Sequence, residues 1–410
     1  MNQVPQMLTV DDALARVTSA FEVLSAEQVP LTQGLGRVLA GDVAARLTQP
    51  PMVVSSMDGY AVRAADVENV PVTLTQVGMS QAGQGFDERV ETRQCSRIFT
   101  GAPLPEGTDT VIIQEVTNTE GDQITIRERA TVGANIRPAG LDFWEGDVLL
   151  KVGKRLTARD LGLAASMNVP WLMVRRRPKI AILATGDELV MPGEPKRPDQ
   201  IISSNSVALS AYVRVLGGEP IDLGIARDTP ESFRQTLAGA ENADALVTIG
   251  GASVGDFDLV RQVLAEDELD LNFYKIAMRP GKPLIFGRLG DVAVLGLPGN
   301  PVSAGVTSVI FLRAAVAAML GLDHEALPDT ATARLGCDLP ENGARQDYMR
   351  ASLASGNEGT LVATPFGRQD SAMMARFAEA DCLVVRPPKA LAAKTGDTVD
   401  ILRLDQGWGL

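Results

Sequence analysis

The chain has 410 residues, 45% of them hydrophobic and 22% charged, enough apolar material for several cores and too long for one ordinary domain. A formal net charge of −13 excludes a nucleic-acid partner held on a broad basic surface, so any anionic ligand has to meet a local basic pocket. Cys95, Cys337 and Cys382 are too few and too scattered for a disulfide framework or a thiolate metal site, and a single histidine, His324, leaves histidine chemistry little support.

Thr9 stands before Val10, Leu14, Val17, Phe21 and Leu24 at helical spacing, which predicts a capped amphipathic helix packed on another element or on a second subunit. The opening MNQVPQMLTV has neither the charged nor the apolar region of a secretory signal, so a cytoplasmic protein is expected. Over 53–126 the runs VTLTQV, TVIIQEV and ITIR, cut by Gly, Pro and Asp, predict a β-rich segment. Helical spacing returns over 157–168, and RRRPK at 175–179 reads as a solvated junction.

Beyond the junction the rhythm is strand, loop, helix: IAILAT, SVALSAYVRVLG, ALVTI, VAVLGL, then a helix over 301–320 whose apolar run is interrupted by Arg313, against a membrane span. That alternation implies a doubly wound parallel sheet. After Pro328, LVATPF, CLVVRP and TVDILRL predict a small β domain. The length leads us to expect three or four domains, and with no fixed-period repeat present no solenoid is expected.

Ligands of open parallel sheets bind outside the carboxyl ends of the strands, so the residues following each strand carry the most weight. After IAIL come Ala184, Thr185, Gly186, Asp187 and Glu188, two carboxylates at a glycine turn that suit a metal or polar substrate, or an acidic helix start. After ALVTI come Gly250, Gly251, Ala252, Ser253, Val254, Gly255, Asp256, Phe257 and Asp258. Their glycines let backbone N–H groups converge on an anion, Ser253 adds a donor, and Asp256 or Asp258 could hold Mg²⁺ at the lip. No Gly-Lys-Ser/Thr follows, so this is no Walker A loop, and a plain glycine turn is the alternative.

After VAVLGL come Pro298, Gly299, Asn300, Pro301, Val302 and Ser303, with Asn300 suited to cap a helix and Pro301 to its first position. The unpaired N–H groups of that helix would face the same crevice, plain capping being the alternative. Lys275, Arg279 and Lys282, in KIAMRPGKP, are cations held by prolines and the expected pocket for a phosphate or a tetrahedral oxyanion. SSMDGYA at 55–61, FTGAP at 99–103 and RPAGLD at 137–142 are ordinary turns when taken singly.

As an ordered set, SMDGYA, FTGAP with GTDTVIIQE, RPAGLDFWEGD, LATGDEL, GGASVGDFD, RPGKP and LGLPGNPVSA resemble the MoeA family, the molybdopterin molybdenumtransferases, which also form the C-terminal part of gephyrin-type proteins. The resemblance spans nearly the whole chain. It implies an α/β plus β multidomain fold: a discontinuous elongated, dimerising domain at 1–46 and 141–174, an inserted β-rich domain at 47–140, an α/β domain at 175–327 like molybdopterin adenylyltransferases, and a C-terminal β-barrel at 328–410. It also implies a homodimer with a composite site, contact with a molybdopterin adenylyltransferase, and insertion of molybdate into adenylylated molybdopterin with release of AMP, assisted by Mg²⁺.

Carried over residue by residue, the resemblance gives catalytic roles to Asp58, Thr100, Asp142, Glu188, Asp228 and Asp258, with Glu188 and Asp258 as the metal ligands. The adenylate side is expected from Thr185, Gly186, Gly250, Gly251, Ser253, Gly255, Pro298, Gly299, Asn300, Pro301 and Ser303. The molybdate side is expected from Lys275, Arg279, Lys282, Arg350 of YMRAS and Ser371 of GRQDSAMM. Two departures stand out: Arg279 where the pattern often has Lys, and Asp370 where Gly often precedes Ser371, a carboxylate that has to point away from any oxyanion.

In the expected mechanism Mg²⁺ and the cations neutralise the pyrophosphate, proximity brings molybdate to the dithiolene, and Asp58 and Asp142 of the dimer partner order water or pass protons. An adenylyltransferase or nucleotide pyrophosphatase on the same α/β domain is the rival enzyme, against which the large flanking domains count. A gephyrin-like scaffold is the rival without catalysis, and it would carry an extra adenylyltransferase domain and linker. The choice between molybdate and tungstate stays open, both being tetrahedral and similar in size.

Overall fold

The computed structural model describes residues 7–250, 263, 270–322, 330–356 and 359–404. The chain divides into two units, Gln28–Val174 and the remainder, Met1–Glu27 with Arg175–Leu410. Thr9 does cap α1 (Val10–Ser19), its hydroxyl accepting from the Asp12 N–H, and Val10, Ala13 and Val17 form the buried face. The helix stops short of Phe21 and Leu24. Phe21 instead lies against Phe286, and the Leu24 N–H donates to the Met319 carbonyl at 2.8 Å, so both pack from irregular chain.

In the Gln28–Val174 unit, β1 (Gly59–Val62), β2 (Val72–Ser80), β3 (Gln94–Ile98), β4 (Thr110–Ile113), β5 (Thr117–Glu120) and β6 (Gln123–Ile126) form one sheet in the order β4-β1-β3-β2-β6-β5. Every pairing is antiparallel except β2 with β3. Tyr60, Val62, Leu74, Cys95, Ile112 and Ile124 fill its inner face. Burial pushes the Cys95 thiol up to about 12, so it serves as core and not as a nucleophile. A second core gathers Leu39, Phe143, Leu150 and Leu156 beneath α2 (Ala158–Ser166), which starts on a reciprocal capping box between Thr157 and Asp160.

The RRR junction is not a solvated linker. Arg176 holds Asp244 bidentately at 2.7 and 2.6 Å, Arg175 donates to the Leu24 carbonyl, and Arg177 donates to the Gly217 carbonyl. Asp244 also accepts from the Lys179 N–H at 2.8 Å, fixing the first residue of the sheet that follows. Asp244→Ala would strand a half-buried guanidinium and that amide, and is expected to cost about 2 kcal/mol in denaturant unfolding. An unchanged midpoint would show the clamp to be idle.

In the other unit, β7 (Lys179–Thr185), α3 (Ser204–Val215), β8 (Glu219–Ala226), α4 (Pro230–Leu237), β9 (Ala245–Ile249), β10 (Asp270–Lys275), β11 (Pro283–Leu289) and β12 (Val292–Leu297) build a sheet ordered β8-β7-β9-β12-β11-β10. β8, β7, β9 and β12 are parallel, and β7, β9 and β12 carry the near-continuous apolar runs of strands covered on both faces, whereas β8 is a partly exposed edge strand. β11 and β10 extend the sheet antiparallel. After β12, α5 (Pro301–Thr307), a π-helical turn at Ser308–Leu312 and α6 (Arg313–Leu320) run on to a left-handed Gly321. Pro301–Leu320 is long and apolar enough to cross a membrane, but 94% of its apolar window is buried inside the protein, which makes it a core helix.

The last element group is a closed barrel. β13 (Thr330–Leu335), β14 (Gln346–Ser355), β15 (Leu361–Pro365), β16 (Cys382–Arg386) and β17 (Thr398–Arg403) close in the ring β14-β15-β13-β17-β16, with β16 pairing back onto β14. A short helix, α7 (Met374–Ala378), lies between β15 and β16. Met278 and Arg279 pair in parallel with Gln346 and Asp347 at the start of β14, so the basic segment is stitched to the barrel.

Candidate functional site

Because β7, β8, β9 and β12 are parallel, their carboxyl ends open on one edge of the sheet. Thr185 ends β7, Asp228 follows β8, and Gly250 and Pro298 directly follow β9 and β12. Together with Gly186, Glu188, Gly299, Asn300 and Pro301 they line a cleft of about 730 Å³. Thr185, Gly186, Gly250, Pro298, Gly299, Asn300 and Pro301, all expected on the adenylate side, therefore meet in one place, whereas Ser303 is not part of the lining.

Hydrogen bonds fix the cleft floor. The Thr185 hydroxyl donates to Asp228 Oδ1 at 3.0 Å, and the Asp187 N–H donates to Asp228 Oδ2 at 3.3 Å, tying the ends of β7 and β8 together. Gly250 has φ +89°, and a Cβ there would sit 2.9 Å from the Thr185 carbonyl oxygen, so only glycine brings the end of β9 this close to β7. At Gly186 a Cβ would lie 2.5 Å from Glu188 Oε2: the Glu188 carboxylate is folded over the glycine turn.

Pro298–Gly299 is held by a residue the sequence reading passed over. Asn205, in the first turn of α3, lines the cleft and donates from Nδ2 to the Gly299 carbonyl at 2.8 Å. Its SSNS context shows only a helix start, and no local pattern marks a partner 94 residues away.

The start of α5 differs from expectation. Asn300 occupies the cap position without capping: its Nδ2 donates to Ser371 Oγ at 3.1 Å. The Val302 N–H donates to the Ser371 carbonyl at 3.0 Å, and Pro301 has no N–H to offer, so this helix start is largely filled by the barrel. Ser303 is buried within α5. Gly251, Ser253, Gly255, Asp256 and Asp258 lie outside the described residues, as does His324.

Ser371 belongs to a loop, 369–373, that runs into α7 and joins two environments. Ala372 and Met374 line the cleft, whereas Gln369 reaches back to Arg350 on β14, whose side chain is fully buried. Burial lowers the Arg350 pKa, opposed by the charge of Asp370. The Asp370 carboxylate itself accepts from the Ala372 N–H at 2.9 Å, folded into its own loop. On the basic segment, Arg279 is paired with Asp347, Lys275 Nζ stands 5.0 Å from the Tyr274 ring centre, and Lys282 closes the turn through its carbonyl to the Ile276 N–H. Of this segment Pro283 reaches the cleft lining.

The remaining candidates lie in the Gln28–Val174 unit. Antiparallel pairing of Gly59 with Ile98 puts the residue before β1 beside the turn after β3. The Thr100 N–H and hydroxyl both donate to Asp58 Oδ1 at 2.8 Å. These two bonds, with the Arg97 charge behind them, hold the Asp58 carboxyl below its ordinary 3.8. Asp142 and Arg137 line a separate cavity of about 700 Å³ with Gln49, Met52, Gly101 and Pro103.

A depressed carboxyl stabilises the fold only while ionised, so its contribution is complete above 3.8 and is lost as pH falls through the lower folded value. Thr100→Val is expected to lower the melting temperature near neutral pH, and the gap from the parent should close on acidification below 3.8. A gap that persists in acid would assign the loss to packing and not to the carboxylate.

Chemically, the cleft offers carboxylates at its rim over a floor tied by hydroxyl and amide hydrogen bonds. Among the described residues no three acidic, cysteine or histidine side chains come close enough to hold a metal unaided. That donor set still fits Mg²⁺, which keeps several waters and is ordinarily bound through one or two carboxylates plus substrate phosphates.

Comparison with known proteins gives a consistent picture. Residues 8–168 match the model of the MoeA N-terminal region (domain I and II), 181–318 that of a probable molybdopterin binding domain, and 332–404 that of the MoeA C-terminal region (domain IV). A molybdopterin molybdenumtransferase of Haemophilus influenzae is 35% identical over 398 residues, covering 96% of this chain and 98% of the relative. One from Nostoc sp. is also 35% identical, covering 92% and 88% respectively. The crystal structure of a molybdopterin biosynthesis MoeA protein from Pyrococcus horikosii superposes with a TM-score of 0.82 at 31% identity, covering 97% of this chain and 99% of that one.

Proposed function

The chain belongs to the MoeA family, and from that premise we propose that it inserts molybdate into adenylylated molybdopterin with release of AMP, as a step of molybdenum cofactor biosynthesis. One observation carries the reading furthest: a single segment, the loop 369–373 with the first residue of α7, lines the strand-end cleft through Ala372 and Met374 and meets a buried guanidinium, Arg350, through Gln369. One segment thus connects a nucleotide-sized cleft to a buried cation behind its lining.

In this reading Thr185, Gly186, Gly250, Asn205 and the Pro298–Asn300 turn seat the adenylate. Arg350 and Ser371, with Lys275, Arg279 and Lys282, hold the oxyanion beside the dithiolene, where proximity supplies most of the rate. Glu188, with Asp258, would hold Mg²⁺, whose charge makes the AMP phosphate a better leaving group. No protein nucleophile is required.

Asp58, Thr100 and Asp142 are proposed to act from a second copy, ordering water or passing protons. A homodimer is supported by exposed Leu149, Val152, Trp171 and Met173 in the Gln28–Val174 unit, apolar surface of the kind that subunits cover. Incubating the chain with adenylylated molybdopterin, Mg²⁺ and molybdate should release AMP and leave molybdenum on the dithiolene. Consumption of ATP with molybdopterin in the absence of molybdate would overturn the assignment in favour of an adenylyltransferase.

A further inference from the structure

Arg350 is 1% exposed, and a buried cation ordinarily has a carboxylate against it, because its desolvation is otherwise uncompensated. Among the described residues none is in ion-pair contact with its guanidinium. The neighbouring acids do not touch it: Asp347 pairs with Arg279, and the Asp370 carboxylate, whose charge acts on Arg350 from a distance, accepts from the Ala372 N–H. What touches Arg350 is neutral. Gln369 Oε1 accepts from the Arg350 N–H at 3.0 Å and from Nε at 3.3 Å, and the Met373 carbonyl accepts from Nη1 at 3.4 Å.

The Gln369 amide is itself locked. Its Nε2 donates to the Arg350 carbonyl at 2.9 Å and to the Phe366 carbonyl at 2.8 Å, which also fixes which end of the amide is oxygen. A glutamate could not make those two donations, and it would cancel the cation it held.

We infer that Gln369 is a positioning residue for oxyanion recognition: it orients the Arg350 guanidinium by its acceptor while adding no charge, so that the buried cation, with no carboxylate in contact, is left for a tetrahedral dianion. The inference rests on the function proposed above. It differs from that reading in assigning the selectivity of the site to an amide that need not touch either substrate. A charged partner would hold Arg350 more tightly and leave it less able to bind an anion.

The test separates molybdate from the pterin substrate in steady-state AMP release by the full-length protein. Gln369→Glu is expected to raise the molybdate KM about tenfold or more, with the KM for adenylylated molybdopterin and kcat at saturating molybdate within about twofold of the parent. Gln369→Met, similar in volume but unable to orient the guanidinium, should raise the molybdate KM by less, and thermal melting shows that each variant is folded. Should the glutamate variant fail to fold, the methionine variant decides: a raised molybdate KM supports the role, an unchanged one overturns it. Wild-type molybdate KM in both variants, or a loss confined to kcat, overturns it as well. If the unsubstituted chain itself does not couple molybdate to AMP release, the proposed function fails and not this inference alone.

Discussion

Replacing Glu188 by Gln is expected to slow AMP release by about 10²-fold while leaving the fold intact. The carboxylate lies folded over the Gly186 turn on the lining of the strand-end cleft. Glutamine keeps its shape and removes one negative charge from the place where a divalent cation would have to bridge protein and pyrophosphate. Loss of one well-placed electrostatic contact to a reacting phosphate costs about 10²–10³ in kcat. Exposed Glu188 has no role in packing, so the melting temperature should move little. The Mg²⁺ concentration giving half-maximal rate should rise in parallel. AMP release at the parental rate would remove Glu188 from the mechanism.

Gly250→Ala should be damaging for a different reason. With φ +89° the backbone is strained for any L side chain, and the new methyl group would meet the Thr185 carbonyl oxygen at 2.9 Å, a backbone atom that cannot swing aside. The strain alone is worth about 1–3 kcal/mol. Relief requires β9 to withdraw from β7 at the end where both contribute to the cleft, and a misplacement of about 1 Å there costs about 10²-fold in kcat/KM. Gly290→Ala is the control: φ is +55° and nothing lies within 4 Å, so stability falls modestly and activity stays. Equal behaviour of the two variants would mean that the close approach at Gly250 has no functional weight.

The sheet and its ligand edge were legible because their physics is local. β7 and β9 are buried along almost their whole length, so they read as unbroken apolar runs, and the residues following them name the cleft directly. The antiparallel β10 was hidden by the opposite circumstance, an edge strand beginning Asp270-Leu271-Asn272 with three exposed residues. β14 was hidden by Asp347 and Arg350, charged residues that are buried and so break any hydrophobic period. Contacts between distant segments were out of reach altogether. Asn205 with Gly299, and Ser371 with the start of α5, join residues 94 and 71 positions apart, and neither leaves a trace in spacing. The helix start that composition offers as an open anion site is for this reason partly filled by the barrel loop. RRR, usually a solvated run, is anchored because Asp244 happens to face it across the fold.

Asp347, nearly inaccessible at the start of β14, holds Arg279 through one terminal nitrogen of the guanidinium, although most of that side chain remains exposed. A lysine in the same place would have a single point of attachment, and the carboxylate would claim it. The planar guanidinium is a bracket with two sides: one is screwed to the barrel wall, and the other stays turned to solvent with donors to spare. Arginine at 279 therefore divides its labour within one side chain: it anchors the loop through one nitrogen and keeps further N–H donors, while the Asp347 carboxylate offsets its charge.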